Sequence, residues 1–166
     1  METPKHLRHK PPTELQQQRE LLLACPQFRS GVNLARIVRL AGCSGITQMV
    51  ACGQNRIDPK IARDAIESVN IKRCRSMKNW LAEKKAEGFR LVALEQSDRS
   101  VNLHDYRFER NSVLIIGHER SGIPEPDLAL ADDIIEIPVY GRPLSYNVVT
   151  ATTMAVYEYC RQYPAG

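Results

Sequence analysis

Short apolar runs alternate with amphipathic segments between residues 20 and 162. ELLLACPQF at 20–28 is apolar enough for a strand buried on both faces. Arg29, Ser30 and Gly31 break it, and Leu34, Ile37, Val38 and Ala41 then fall at helical spacing. Asn33 reads as the N-cap or near-cap of that helix and Gly42 as its stop. ITQMVACG at 46–53 predicts a second strand, and Asp58-Pro59 predicts a short helix through Ile66, capped by Asp58. An amphipathic helix over 76–88 buries Met77, Trp80 and Leu81 and closes at Gly88. RLVALE at 90–95 is a third strand, and 97–111 is polar and irregular, a loop or a lid. SVLIIGHE at 112–119 is a fourth strand, 124–131 a short helix and 133–138 a fifth strand. A closing helix over 145–162 directs Val148, Ala151, Ala155, Val156 and Tyr159 inward.

This alternation predicts an α/β domain with a mostly parallel sheet and helices on both faces. No internal repeat, low-complexity block or interior linker appears. Residues 1–18, with Pro11-Pro12 and several basic side chains, read as a flexible basic N-terminal arm, and 19–166 as one catalytic-sized domain.

Composition narrows the function classes. No apolar run approaches the roughly 20 residues of a membrane span. METPKHLRHKPP is not followed by the apolar core of a secretory signal, so the expectation is a cytoplasmic protein with no membrane partner. The five cysteines are widely spaced, without a C-x-x-C or Cys/His cluster. They read as core residues in a reducing compartment, and no metal is expected. The net charge of +4 is modest, but the basic residues cluster: His6, Arg8, His9 and Lys10, then Arg36 and Arg39, then Lys72, Arg73 and Arg75. Such clusters bind phosphate backbones or form a solvated basic surface.

Several standard sites are missing. There is no G-x-G-x-x-G after the first strand, no G-x-x-x-x-G-K-[ST] and no G-x-S-x-G elbow. Candidate chemistry lies at strand ends instead. Gly117 follows VLII, and Glu119 and Arg120 offer a carboxylate and a guanidinium beside it. Farther on, Pro138, Gly141 and Pro143 interrupt the chain before Ser145, Tyr146 and Asn147 lead into the closing helix. Arg36 and Arg39, three apart on one helix face, lie just beyond the first strand, where open α/β sheets place ligands. Singly, these read equally as a turn, a helix cap and a basic face.

In order, the three segments resemble the motifs of the SpoU/TrmH family of S-adenosylmethionine-dependent RNA ribose 2′-O-methyltransferases, in the SPOUT superfamily. An Asn followed six positions on by an Arg is matched by Asn33 and Arg39 in NLARIVRLAG. A strand ending G-x-E-x-x-G is matched by Gly117, Glu119 and Gly122. I-P-x-x-G-x-x-x-S-L-N is matched by IPVYGRPLSYN, with Tyr146 in place of the usual Leu.

The resemblance implies an α/β-knot, in which the C-terminal part of the sheet threads into a deep trefoil knot that forms the cofactor pocket. The cofactor would be S-adenosyl-L-methionine, held by Leu94, Glu95, Gly117, Ile137, Pro138, Gly141, Ser145, Tyr146 and Asn147. Arg39 would position and polarise the reacting hydroxyl, oriented with the substrate by Asn33, Glu119, Ser145 and Asn147. A free guanidinium, with its pKa above about 12, is a poor base. Arg8, Lys10, Arg36, Arg39 and Arg120 are the expected RNA contacts. The family works as homodimers with the site completed across the interface. Its members act on tRNA and rRNA, and tRNA is expected here ahead of rRNA. The alternative is a non-catalytic RNA-binding protein that keeps the fold.

Overall fold

The computed structural model describes residues 3–7 and 10–166. Arg8, one of the expected RNA contacts, lies outside the described residues. Seven strands form one sheet: β1 (Leu21–Cys25), β2 (Gln48–Cys52), β3 (Asn70–Cys74), β4 (Arg90–Leu94), β5 (Val101–Asn102), β6 (Ser112–Ile116) and β7 (Asp133–Glu136). Their spatial order is β3-β2-β1-β6-β4-β7-β5, and every pairing is parallel. The helices are α1 (Gly31–Cys43), α2 (Pro59–Ala62), α3 (Ala65–Ser68), α4 (Lys78–Ala86), α5 (Glu125–Leu128) and α6 (Val148–Gln162).

Alternation along the interior strand β1 divides the core into two layers. Leu21, Leu23 and Cys25 of β1 pack with Leu34, Ile37 and Val38 of α1 and with Ala155, Val156 and Tyr159 of α6. Leu22 and Ala24 face the other way, against Trp80 and Leu81 of α4. That is the arrangement expected of a strand apolar at every position. Helices therefore cover both faces. The order also fixes where a ligand belongs. The chain runs outward through β1, β2 and β3, returns to β4, and later inserts β6 between β1 and β4. Such reversals open a crevice at the C-terminal ends of the strands.

Two strands differ from the sequence reading. NIKRC forms β3 although Asn70, Lys72 and Arg73 are exposed; it is an edge strand held by register with β2, not by an apolar pattern. Val101–Asn102 forms β5, too short for any periodic signal. The other strands end earlier than expected, which leaves residues 26–28, 117–119 and 137–138 in loops. The helix expected through Ile66 is divided at Arg63, whose φ is +56°. The closing helix starts at Val148, three residues after Ser145.

Residues 103–111 are no lid. The Phe108 N–H donates to Gln162 Oε1 at 2.9 Å, and the Tyr159 and Tyr163 hydroxyls donate to the Arg110 and Phe108 carbonyls at 2.6 Å each. Those bonds fasten the segment to α6 at the N-terminal edge of the sheet. At the same edge Arg90 holds Asp133 through Nε and Nη2 at 2.7 and 3.0 Å, and the Tyr106 hydroxyl donates to Asp133 at 2.7 Å. Residues 10–20 form no regular element, yet they are attached before residue 18. The Gln16 and Gln17 N–H groups donate to the Ala165 carbonyl, and Leu15 lies against Gly45. Of the five cysteines, all free thiols, Cys25 and Cys52 are buried while Cys43 is exposed.

Candidate functional site

The loops after β4, β6 and β7 and the first turn of α6 enclose a cavity of about 260 Å³. Its walls are Leu94, Glu95 and Gln96, then residues 116–120 with Gly122, then Ile137, Val139, Ser145, Tyr146, Val148 and Ala151. All three strands run parallel, so their C-terminal ends meet on one edge at the chain reversal.

The loop after β6 is a closed turn. His118 and Gly122 exchange backbone hydrogen bonds at 2.9 and 3.1 Å, and the Arg120 N–H donates to His118 Nδ1 at 3.2 Å. Gly122 has φ +67°, and any Cβ there would meet the Glu95 carboxylate, so glycine is required on both counts. Glu95 braces the turn from β4, accepting from the Ile123 N–H at 2.9 Å and the Gln96 N–H at 3.1 Å. Its carboxylate is thus spent on the turn.

Glu119 projects from that turn toward the start of α1. Its Oε1 accepts from the Asn33 side-chain amide at 2.9 Å, and its Oε2 accepts from the Arg29 N–H at 3.0 Å. Burial alone would raise the carboxyl's pKa. The donors from Arg29 and Asn33, with His118 nearby, instead hold it below the usual carboxylate range. Glu119 is therefore an anion on the wall of the cavity. Of the two places expected for Asn33, N-cap or near-cap, the structure gives the second: Ser30 caps α1, accepting from the Val32 N–H at 3.2 Å, and Asn33 is in the first turn. That leaves the Asn33 amide free to reach across to the β6 loop.

Among the expected cofactor contacts, Leu94, Glu95, Gly117, Ile137, Ser145 and Tyr146 line the cavity. Gly141 and Asn147 line an adjoining exposed hollow, and Pro138 lines neither. Asn147 is the N-cap of α6, its Oδ1 accepting from the Val149 N–H at 2.9 Å. Arg120, expected to meet RNA, is on the cavity wall and exposed. Sequence reasoning missed Gln96, Ile116, His118, Val148 and Ala151. Val148 and Ala151 carried a signal, since they recur at helical spacing directly after the third motif.

The structure does not bring Arg39 to this cavity. Six residues along α1 place it about 9 Å farther along the axis than Asn33 and about 120° round the helix. It is exposed there beside Arg36 on the outward face, without a side-chain partner among the described residues.

The lining suits a compound with an apolar ring system and a cationic centre. Leu94, Ile116, Ile137 and Val139 form an apolar bed, while Ser145 and the Glu119 anion supply polar points. Such a site matches the adenine and the sulfonium of S-adenosylmethionine. Among the described residues no group of His, Cys, Asp and Glu could hold a metal ion.

The model of the SpoU rRNA Methylase family matches residues 20–157. The tRNA (guanosine(18)-2′-O)-methyltransferase of Escherichia coli strain K12 is 29% identical over 148 residues, 87% of this chain. The chain spans 65% of that protein's length. The crystal structure of the TrmH/SpoU tRNA modifying enzyme of A. aeolicus superposes with a TM-score of 0.84 at 28% identity, covering 90% of this chain and 78% of that one. The SpoU methyltransferase AviRb from Streptomyces viridochromogenes, in complex with the cofactor AdoMet, gives a TM-score of 0.76 at 25% identity, covering 90% and 63%.

Proposed function

This chain belongs to the SpoU rRNA Methylase family, and on that premise we propose that it methylates a ribose 2′-hydroxyl of RNA, using S-adenosylmethionine. Transfer RNA is the preferred substrate class and ribosomal RNA the second, because the E. coli relative is named for a tRNA guanosine. The observation that carries the proposal is the bond between Asn33 and Glu119 at 2.9 Å. It ties the first family motif to the second at the wall of a cavity that the third motif completes.

S-adenosylmethionine, when bound, supplies an electrophilic methyl group on a sulfonium. The chain's own residues do the rest. Leu94, Ile116 and Ile137 would exclude water from an apolar ring held in the cavity, and Gly117 leaves room for Gly122 and Glu95, which a Cβ there would meet at 3.1 and 3.3 Å. Glu119 would offer its carboxylate to a cationic centre in the cavity and, through Asn33, fixes the start of α1. Ser145 and Tyr146 close the opposite wall.

Arg39 positions the target ribose and its phosphate, and it does so from a second subunit. It is exposed on the outward face of α1 and does not line its own cavity, which supports a homodimeric site. Exposed apolar side chains on the cofactor loop, Tyr140 at 85% and Leu144 at 76%, are suited to cover by a partner copy. The knot belongs to the same proposal, with residues 137–147 as its threaded part. So does a cytoplasmic location; among the described residues no helix is long and apolar enough to cross a membrane. Lys10 and the arm around it add RNA affinity.

The test is transfer of labelled methyl from S-adenosylmethionine to total RNA, followed by mapping of 2′-O-methyl positions. Label in a ribose 2′-O-methyl group supports the proposal. RNA binding without label in any RNA would overturn it in favour of the non-catalytic reading.

A further inference from the structure

The cavity occupies only half of the sheet's C-terminal edge, and the other half is basic. Loops 26–31, 53–57 and 72–78 follow or overlap the ends of β1, β2 and β3. They carry Arg29, Arg56, Lys72, Arg73, Arg75 and Lys78 and no acidic residue. All six side chains are exposed. Lys72 is drawn back toward α4 by Glu83 at 3.5 Å. Three carboxylates border the ledge: Glu119, which accepts from the Arg29 N–H at 3.0 Å, Asp58, which accepts from the Lys60 N–H at 2.8 Å, and Asp127, which is buried. Beyond the cavity on the other side, residues 95–99 mix Glu95, Asp98 and Arg99. The positive field is one-sided.

These loops form one rigid ledge. The Asn55 side-chain amide donates to the Phe28 carbonyl at 2.6 Å, and Arg73 Nη2 donates to the Asn55 carbonyl at 2.9 Å. Gly31 sits so close to the Arg56 carbonyl that a Cβ there would lie 2.8 Å from its oxygen. The ledge is joined to the cavity wall where the Arg29 N–H meets Glu119. Long cations held on a fixed backbone beside a reaction site are what a polyanion track requires.

We propose that this ledge is the track for the RNA backbone next to the target nucleotide. Arg29, Arg56 and Arg75 take successive phosphates as the strand runs from the cavity past β1 and β2 to β3. The inference rests on the RNA methyltransferase reading and adds the direction in which the substrate leaves the site. Three strand spacings of ~4.8 Å give about 14 Å of track, roughly the rise of four stacked nucleotides at ~3.4 Å each. The cations read charge and spacing, not bases, so nucleotide identity is decided elsewhere.

The test compares the full chain with Arg56→Glu/Arg75→Glu and with Arg107→Glu, a reversal in the loop at the opposite edge of the sheet. Filter retention of unfractionated tRNA at several salt concentrations gives affinity and salt slope. Methyl transfer gives kcat and KM, and calorimetry gives S-adenosylmethionine affinity. The double reversal should weaken tRNA binding at least tenfold and reduce the salt slope by about 1.4, at ~0.7 per phosphate contact. KM should rise with kcat and cofactor affinity near wild type, and Arg107→Glu should stay within about twofold. Should the double reversal unfold the chain, Arg56→Ala/Arg75→Ala removes the same two contacts, so it should lose the same slope with binding about threefold weaker. Normal methylation by wild type with tRNA affinity and slope unchanged in the ledge variants would overturn the track and leave the enzymatic reading standing. A wild type that binds no RNA would overturn both, and would leave the ledge for an acidic protein partner.

Discussion

Asn33 and Glu119 meet at 2.9 Å, joining the first turn of α1 to the turn after β6. Glu119 reaches the opposite loop through this bond and through the Arg29 N–H, and the two contacts together tie the basic ledge to the cavity.

Breaking it should show as coupling. Glu119 also accepts from the Arg29 N–H, so Glu119→Ala should cost more than Asn33→Ala, each in the range of about 1–3 kcal/mol for a hydrogen bond to a charged group. A double-mutant cycle on kcat/KM and on the urea midpoint should give an interaction of about 1 kcal/mol. Strict additivity would mean that the pair does not act as a unit.

Arg39→Ala should separate turnover from cofactor binding. Arg39 lies off the cavity of its own subunit, so S-adenosylmethionine affinity by calorimetry should stay unchanged. Turnover should fall about 10²–10³-fold, as expected for removal of a group that acts on developing charge. A variant with wild-type turnover on the mapped RNA would remove Arg39 from the mechanism.

Tyr146 stands where relatives of this family are expected to carry Leu, and its ring lines the cavity with 40% of its surface exposed. Tyr146→Leu should bind S-adenosylmethionine within about threefold of wild type. Tyr146→Ala should bind it about five- to tenfold more weakly, equivalent to roughly 1 kcal/mol of aromatic contact. Equal affinity for all three would show that the ring faces the RNA or a partner subunit.

Asp133 predicts how stability responds to acid. The Arg90 guanidinium holds its carboxyl below the usual range, against the opposing effect of burial and with help from the Tyr106 hydroxyl. A depressed folded value gives stability that is present above the ordinary carboxylate pKa of about 3.9 and lost as pH falls through the folded one. Asp133→Asn should therefore cost about 1 kcal/mol at pH 7, screened because Arg90 is partly exposed. The difference should shrink steadily below about pH 4. Urea midpoints of both proteins at pH 7, 4 and 3 check this, and a constant gap would refute it.

Apolar pattern located the buried strands well. Leu21–Cys25 and Ser112–Ile116 are apolar at nearly every position and are buried on both faces. β3 escaped because an edge strand can be polar when its backbone pairing carries it. The site was legible as three motifs, but not as geometry. Asn33 looked like a cap or near-cap because caps and reaching side chains use the same residue type, and Ser30 decided the matter by taking the cap. Asn147 went the other way: its side chain caps α6. The bracing of the β6 loop by Glu95 had no sequence signal, because the bond spans 28 residues and depends on β4 and β6 being neighbours.

Strand order also carries a consequence for biogenesis. β1 lies between β2 and β6, so one whole edge of a fully apolar strand has no partner until residues 112–116 have been made. At a translation rate of ~5–20 residues per second, that edge stays open for roughly 5–20 s on the nascent chain. An open apolar edge is a template for another chain. The emerging polypeptide, rather than the finished protein, is thus the form most exposed to aggregation, and shielding of β1 by a chaperone would protect it until β6 arrives.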